Sequence, residues 1–406
     1  MIEMLIGIVG KPSAGKSTFL NAACLTDAKI GNYPFTTIEP NIGSGYVRVN
    51  CVCQEFNVKD DPKNSVCVDG IRYIPVKLLD VAGLVPDAHK GRGLGNKFLS
   101  DLTRADVLIH ILDISGELDL EGNEIAEASH DPMDDIEFLT REIDLWFKDI
   151  LLRKDWEKFT NRIVMEKLNF SEELFKRLSG LSIRRKHITK AVKVSGLDNK
   201  SPNDWDDDDI LKFASALRSV SKPILIVANK IDKKNSKSNY ERIKKELSTP
   251  VIASSALAEF FLRNLAEEGI IDYFPGQSEF IVKKPDGLTE IQKTTLKNIQ
   301  ERILDPFGNT GVQHALNFAV FDLLNNIVVY PVNDEKRLAD KDGRVLPDAY
   351  VVEDKSNIKD FIARKIHTDL ADNFIYAIDA RTKMKLGKEY ELKNNDVIKV
   401  VSAAKS

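Results

Sequence analysis

The stretch Gly10-Lys11-Pro12-Ser13-Ala14-Gly15-Lys16-Ser17 decides the fold. It follows a short, mostly apolar run from Glu3 to Val9 and precedes another from Phe19 to Leu25, so it reads as strand, glycine loop, helix. In that setting the glycines let successive backbone N–H groups turn inward around phosphates, and the helix N-terminus adds partial positive charge. Lys16 is expected on the β- and γ-phosphates and Ser17 on Mg2+, with Gly10, Lys11, Pro12, Ser13, Ala14, Gly15 and Thr18 completing the cradle.

A phosphate loop alone does not choose the base, so the later motifs carry that choice. Val76-Lys77-Leu78-Leu79-Asp80 ends a β-like run and opens Asp80-Val81-Ala82-Gly83, a D-x-x-G sequence. There Asp80 is expected to reach the metal through a water and Gly83 to offer an amide to the γ-phosphate. Farther on, the buried-strand pattern Pro223 to Ala228 runs into Asn229-Lys230-Ile231-Asp232. The Asp232 carboxylate can accept from both N1–H and the exocyclic amine of guanine, whereas adenine would leave it unpaired, a penalty of several kcal/mol. Asn229 would brace the loop, and the Lys230 stem would cover the base. After Pro250 to Ala253, Ser254-Ser255-Ala256 would bring backbone toward the guanine O6. GTP and GDP are therefore the expected ligands.

Composition sets the frame. The chain has 406 residues, 43% hydrophobic and 30% charged, with a formal net charge of −4. That length suits more than one core. No apolar run approaches the roughly 18–20 residues needed to cross a membrane, and the first residues lack a basic segment and a cleavage site, so a cytoplasmic, membrane-free protein is expected. The charge argues against wholesale basic coating but leaves room for local patches. The cysteines Cys24, Cys51, Cys53 and Cys67 make no disulfide framework. Cys51, Cys53 and Cys67 offer three ligands to zinc, but the usual paired spacing and a convincing fourth ligand are missing, so reduced thiols are the expectation.

Two further stretches, Asn32-Tyr33-Pro34-Phe35-Thr36-Thr37-Ile38-Glu39-Pro40-Asn41 and Gly91-Arg92-Gly93-Leu94-Gly95-Asn96-Lys97-Phe98-Leu99, together with the motifs above, resemble the Obg-related GTPases, most closely their YchF branch. The resemblance implies an α/β P-loop GTPase fold, a mostly parallel sheet flanked by helices, carrying a helical insertion and a C-terminal TGS domain of the β-grasp type. It implies a translation-associated switch that meets the ribosome, rRNA or tRNA, with Thr37 closing on Mg2+ and the γ-phosphate. Two positions depart from that pattern. YchF proteins typically carry glutamate where Asp232 stands and can prefer ATP, so the aspartate favours GTP. They commonly carry asparagine where Ser13 stands, a residue associated with potassium-stimulated hydrolysis.

Leu84 occupies the place where Ras-like switches carry a water-orienting glutamine. Slow intrinsic turnover is expected, on the order of 10⁻⁴ to 10⁻² per second, raised by a partner. His89 and His130 are the candidate polar residues for water activation. The competing readings are a YchF-type ATPase and a nucleotide-occupancy scaffold with negligible hydrolysis.

Expected boundaries are 1–117 and 220–326 for the GTPase domain, 118–219 for the insertion and 327–406 for the TGS-like domain. In the insertion, Ile136, Leu139, Ile143, Trp146 and Ile150 form a coiled-coil-like stripe, and a helix from Ser171 through Leu181 is expected to pair with it as an antiparallel hairpin. Arg184-Arg185-Lys186-His187 with Lys190 and Lys193 is a basic group that could meet RNA phosphates, although a solvated helix face is the favoured reading. Asp206 to Asp209 fit a helix N-terminus. Beyond Ile327 the pattern is β-like, with one helical stretch from Ile358 to Ile366. A monomer is expected.

Overall fold

The computed structural model describes residues 4–24, 42–81, 95–125, 129–153, 155–178, 180–181 and 183–403. Within them lie strands β1 (Leu5–Val9), β2 (Ile42–Asn50), β3 (Val66–Val68), β4 (Ile71–Asp80), β5 (Val107–Asp113), β6 (Ile224–Asn229) and β7 (Val251–Ala253). They form a seven-stranded sheet of order β2-β4-β1-β5-β6-β7, with β3 paired to β4. The pairs β1–β4, β1–β5, β5–β6 and β6–β7 are parallel, and the ribbon of β2, β3 and β4 is antiparallel. Every residue of β1 and of β5 is buried, as continuous apolar strands covered on both faces must be.

The strand period of two divides these residues between the sheet's faces. Ile6, Ile8, Val107, Ile109 and Ile111 join one core with Phe19 and Ala22 of helix α1 (Lys16–Cys24). Leu5, Val9 and Leu108 enter another with Phe98 and Leu102 of the helix Gly95–Arg104. That second core is continuous with the insertion. Its helices run Pro132–Leu152, Trp156–Met165, Phe170–Arg177, Arg185–Val194 and Asp207–Ser221. The two longest of these are α2 (Pro132–Leu152) and α3 (Asp207–Ser221).

Ile136, Leu139, Ile143 and Trp146 are buried, as the stripe requires, and Ile150 is partly buried. The long partner of α2 is α3 rather than the segment 171–181. Arg218 of α3 donates to Asp144 of α2 at 2.6 Å. The Phe170–Arg177 helix is too short to run alongside α2, and it starts one step earlier than expected because Asn169 caps it, accepting from Glu172 N at 3.0 Å. Trp156, Phe170, Trp205 and Phe213 form an aromatic cluster beside that pair, with Trp205 and Phe213 centroids 5.0 Å apart. Asp206 caps α3 by accepting from Asp209 N at 2.9 Å, so the aspartate run stabilises a helix start as expected.

Helix α4 (Ala256–Glu267) follows β7, and β8 (Ile271–Asp272) pairs with β9 (Ile281–Val282). The C-terminal sheet has order β11-β10-β14-β12-β13, from β10 (Asn326–Val332), β11 (Tyr350–Glu353), β12 (Phe374–Asp379), β13 (Lys385–Leu386) and β14 (Asp396–Ser402). Only β10–β14 is parallel, and the helical turns of 358–366 cover one face through Ile358, Phe361 and Ile362. This mixed sheet with one covering helix is the β-grasp.

The basic group of the insertion is partly spent inside the chain. Arg184 and Lys186 both pair with Glu353 of β11, and Arg185 pairs with Glu172 at 2.8 Å. Burial and the neighbouring Arg184 and Lys186 pull His187 down to about 4, so it is neutral near pH 7.

Candidate functional site

Strand β1 delivers the chain into the loop at Gly10. Its φ is +147°, and a Cβ there would lie 2.4 Å from the Ile111 carbonyl oxygen. Gly15, at φ +99°, is closed to other residues in the same way, because a Cβ would lie 2.4 Å from Asn229 Nδ2. Between them Ser13 adopts φ 60°. These angles curl the backbone into a cup whose rim is the first turn of α1, beginning at Lys16 and Ser17. Lys16 Nζ donates to the Lys11 carbonyl at 2.8 Å, so the cation lies back across its own loop. Burial holds its pKa below the ordinary lysine range, and the Asp80 carboxylate opposes that shift. Asp80 ends β4, in register with Ile8 of β1.

Asn229 ends β6 and ties separate loops together. Its Nδ2 donates to the Ala14 carbonyl at 2.9 Å, and its Oδ1 accepts from Ala256 N at 3.0 Å. Lys230, at φ 62°, turns the chain, and its Nζ reaches Asp113 Oδ2 at 3.0 Å. Asp113 is fully buried and also accepts from Ser115 Oγ at 2.6 Å. The Asp232 carboxylate is oriented by Ser255 Oγ, which donates to Oδ1 at 2.7 Å. The amides of 254–256 are already engaged: Ser254 N with Ala228 O, Ser255 N with Thr310 O, and Ala256 N with Asn229. The expected backbone contact to a base O6 is therefore not on offer from these amides in this conformation. Helix geometry leaves the next amide, Leu257 in the first turn of α4, without an intrahelical partner.

Ser13, Gly15, Thr18, Asn229, Lys230, Asp232 and Ser255 line one cavity of about 800 Å³. Glu117, Leu118, Glu124 and Leu257 line it too, and sequence reasoning missed them. Leu118 bridges to Glu124, and Asp119 Oδ1 accepts from the amides of Glu121 and Asn123, so the segment 118–124 makes a tight turn. That turn approaches the phosphate loop closely enough that a Cβ on Gly122 would lie 2.6 Å from Pro12 O. Gly10, Lys11, Pro12, Ala14, Lys16, Ser17 and Ala256 do not line the cavity; they belong to the phosphate loop, the first turn of α1 and the first residue of α4. Thr37, Gly83 and His89, with Leu84 and the glycine-rich stretch through Leu94, lie outside the described residues.

His130 does not line this cavity. Its Nε2 lies 3.0 Å from Asp135 Oδ1, while Asp135 Oδ2 lies 2.9 Å from Lys11 Nζ. Lys11 also donates to the Leu118 carbonyl at 2.8 Å. Burial raises the Asp135 carboxyl, opposed by Lys11 and His130. Asp135, in the first turn of α2, thus grips a phosphate-loop side chain while His130 engages its other oxygen. Beneath the loop His110 is fully buried, its Nδ1 lacking a partner among the described residues, and burial beside Lys16 and Lys11 lowers its pKa to about 3.

Three family models match successive parts of the chain: a 50S ribosome-binding GTPase domain over 5–141, an Obg-like GTPase G4-motif domain of the YGR210-like type over 227–334, and a TGS domain over 341–402. A GTP-binding protein of Methanocaldococcus jannaschii is 47% identical over 402 residues, spanning 99% of this chain and 100% of that protein. The chain belongs to the Obg-like, YchF-related GTP-binding proteins. A second relative, a GTP-binding protein of Schizosaccharomyces pombe, is 40% identical over 83% of both chains. The crystal structure of a GTP-binding protein from Pyrococcus horikoshii superposes with a TM-score of 0.78 at 38% identity, covering 98% of this chain and 100% of that one. The ribosome-binding ATPase YchF of Mycoplasma genitalium is 32% identical over 55% of each chain.

Proposed function

We propose that this protein is a GTP-hydrolysing switch of slow intrinsic turnover that works with the ribosome or its RNA. The observation that carries the base preference is the Asp232 carboxylate, held by Ser255 at the edge of the cavity that Gly15 and Thr18 also line. An oriented carboxylate has a use for guanine's two adjacent N–H donors and is left unpaired by adenine. The phosphates would follow the cup from Ser13 to Thr18, and Lys16 would exchange its bond to Lys11 O for phosphate oxygens. Asn229 keeps the phosphate and base loops in fixed relation before any ligand arrives.

The donor set suits Mg2+: the Ser17 hydroxyl begins α1, and the Asp80 carboxylate ends the neighbouring strand, both hard oxygen ligands. When bound, the ion would neutralise charge on the β- and γ-phosphates. Thr37 and Gly83 are assigned to the γ-phosphate by their motifs. Water activation falls to His89 among the two histidines, since His130 is engaged with Asp135.

An ATPase reading is favoured by the names of the relatives called Obg-like ATPase 1 and ribosome-binding ATPase, which are 32% identical over little more than half of this chain. Equilibrium titration of the intact protein with labelled GTP, GDP and ATP separates the two. Tighter binding of GTP is expected, and tighter binding of ATP would overturn the role given to Asp232. Multiple-turnover hydrolysis with and without ribosomes tests the switch. Acceleration is expected, while firm binding with no acceleration would leave an occupancy scaffold.

A further inference from the structure

The loop between β2 and β4 gathers Cys51, Cys53, Cys67 and Asp60, whose sulfur and carboxylate oxygen atoms all lie within 4.8 Å of one another. Cys51 and Cys53 are buried, and Cys67 and Asp60 are half-buried. The fourth ligand that the sequence did not reveal is thus Asp60. It lies seven positions before Cys67 and is carried inward by the turn that precedes β3.

Tetrahedral zinc with Zn–S of about 2.3 Å and Zn–O of about 2.0 Å requires S···S edges near 3.8 Å and S···O edges near 3.5 Å. Cys53 Sγ and Cys67 Sγ are 3.9 Å apart, and Cys51 Sγ is 3.3 Å from Asp60 Oδ2. The first separation is far too long for a disulfide, and both approximate edges of a metal tetrahedron. Soft thiolates select zinc over the hard cations of nucleotide chemistry, and four protein donors make a closed, structural site.

A supporting shell surrounds these groups. Arg72, fully buried, donates to Asp60 Oδ2 at 2.7 Å and to the Leu346 carbonyl, and lies 5.8 Å from the Tyr330 ring centre. Three thiolates and a carboxylate around a dication leave two negative charges, and the guanidinium offsets one of them. The thiol protons released on binding go to solvent.

We propose that Cys51, Cys53, Cys67 and Asp60 bind one structural zinc ion that fixes the β2–β4 ribbon against the C-terminal β-grasp domain. The same loop supplies the contacts being fixed. Asp61 N donates to Val345 O at 2.8 Å, Lys63 N to Pro347 O at 2.6 Å, and Asn64 exchanges two hydrogen bonds with Ala349. Glu55 pairs with Arg381. The site is separate from the nucleotide cavity, so its test is independent of the base preference.

The test is metal content and cobalt spectroscopy on the full chain. Wild type, desalted without chelator, should carry one zinc per chain by atomic emission, as should Cys24→Ser, which lies outside the cluster. Cys53→Ser and Cys67→Ser should lose it. Metal-free wild type titrated with Co2+ should develop thiolate charge-transfer and tetrahedral ligand-field bands that saturate at one equivalent, and this holds even if the serine variants fail to fold. Substoichiometric zinc with no cobalt bands in protein that still binds nucleotide would overturn the proposal. So would a Cys53–Cys67 disulfide in freshly isolated protein, or full zinc content in folded Cys67→Ser.

Discussion

Exchanging Asp135 for leucine would strip Lys11 of its counter-ion. The two side chains are 5% and 4% exposed, with Nζ and Oδ2 2.9 Å apart, and among the described residues only the Leu118 carbonyl would remain for the ammonium. At that separation the gross attraction is about 6 kcal/mol for an effective dielectric of about 20. Much of it is offset by taking both charges out of water, but removing one partner leaves the desolvation of the other uncompensated. The net loss on breaking such a pair is about 3–5 kcal/mol. Replacing both, as Lys11→Met with Asp135→Leu, removes the stranded charge and should recover most of that loss. The assay is urea unfolding without nucleotide, followed by tryptophan emission. All three tryptophans, Trp146, Trp156 and Trp205, lie in the insertion, so the signal reads the body to which Asp135 belongs. A single variant within about 1 kcal/mol of wild type, or a double variant no better than the single, would refute the account of this network.

Other outcomes follow from named contacts. Asp232→Asn should weaken GTP binding at least about 100-fold while admitting xanthosine triphosphate, whose 2-oxo group suits a carboxamide donor; nucleotide titration reads both. Folded His110 titrates near 3 against 6.5 for an ordinary histidine, so below about pH 6.5 the unfolded chain takes up a proton that the folded one refuses. Its contribution is present in full above that pH and is lost as pH falls toward 3, and His110→Phe should flatten the stability curve there by up to about 1.4 kcal/mol per pH unit. Glu353→Gln should change stability by less than about 1 kcal/mol, since its partners are exposed, yet free Arg184 and Lys186. Binding of a short RNA, measured by anisotropy at low salt, should then tighten, and unchanged affinity would mean that the pairs do not mask these cations.

The parallel strands of the first sheet and the phosphate loop were legible because their signals are local, whereas the antiparallel β2 and β3 were not. Leu5 to Val9 must be a strand covered on both faces, and Gly10 and Gly15 stand where the chain needs angles or room that a Cβ denies. Four of the five β-grasp strands were legible for the same reason, as short apolar runs bounded by turns, whereas the two-residue β13 was too short to read. What escaped was tertiary. Asp113 looks like any strand end until β5 and β6 pair with Asp113 opposite Asn229, which brings Lys230 to its carboxylate. Asp60 resembles an ordinary loop acid until Arg72 draws it toward three sulfurs. The stripe on α2 was visible, but its partner was not, because any of several amphipathic helices could have covered it. His130 was noticed for its chemistry, and its place was fixed by Asp135, a residue with no motif around it.

Helix α2 has 21 residues, and its first turn holds a phosphate-loop lysine. At 1.5 Å per residue it is a rod about 30 Å long. If the loop tightens and the base of the rod tilts by about 5°, its far end at Leu152 travels roughly 3 Å. An event too small to alter the sheet would thereby become a displacement that a large neighbour can feel, and the rod's length sets the gain.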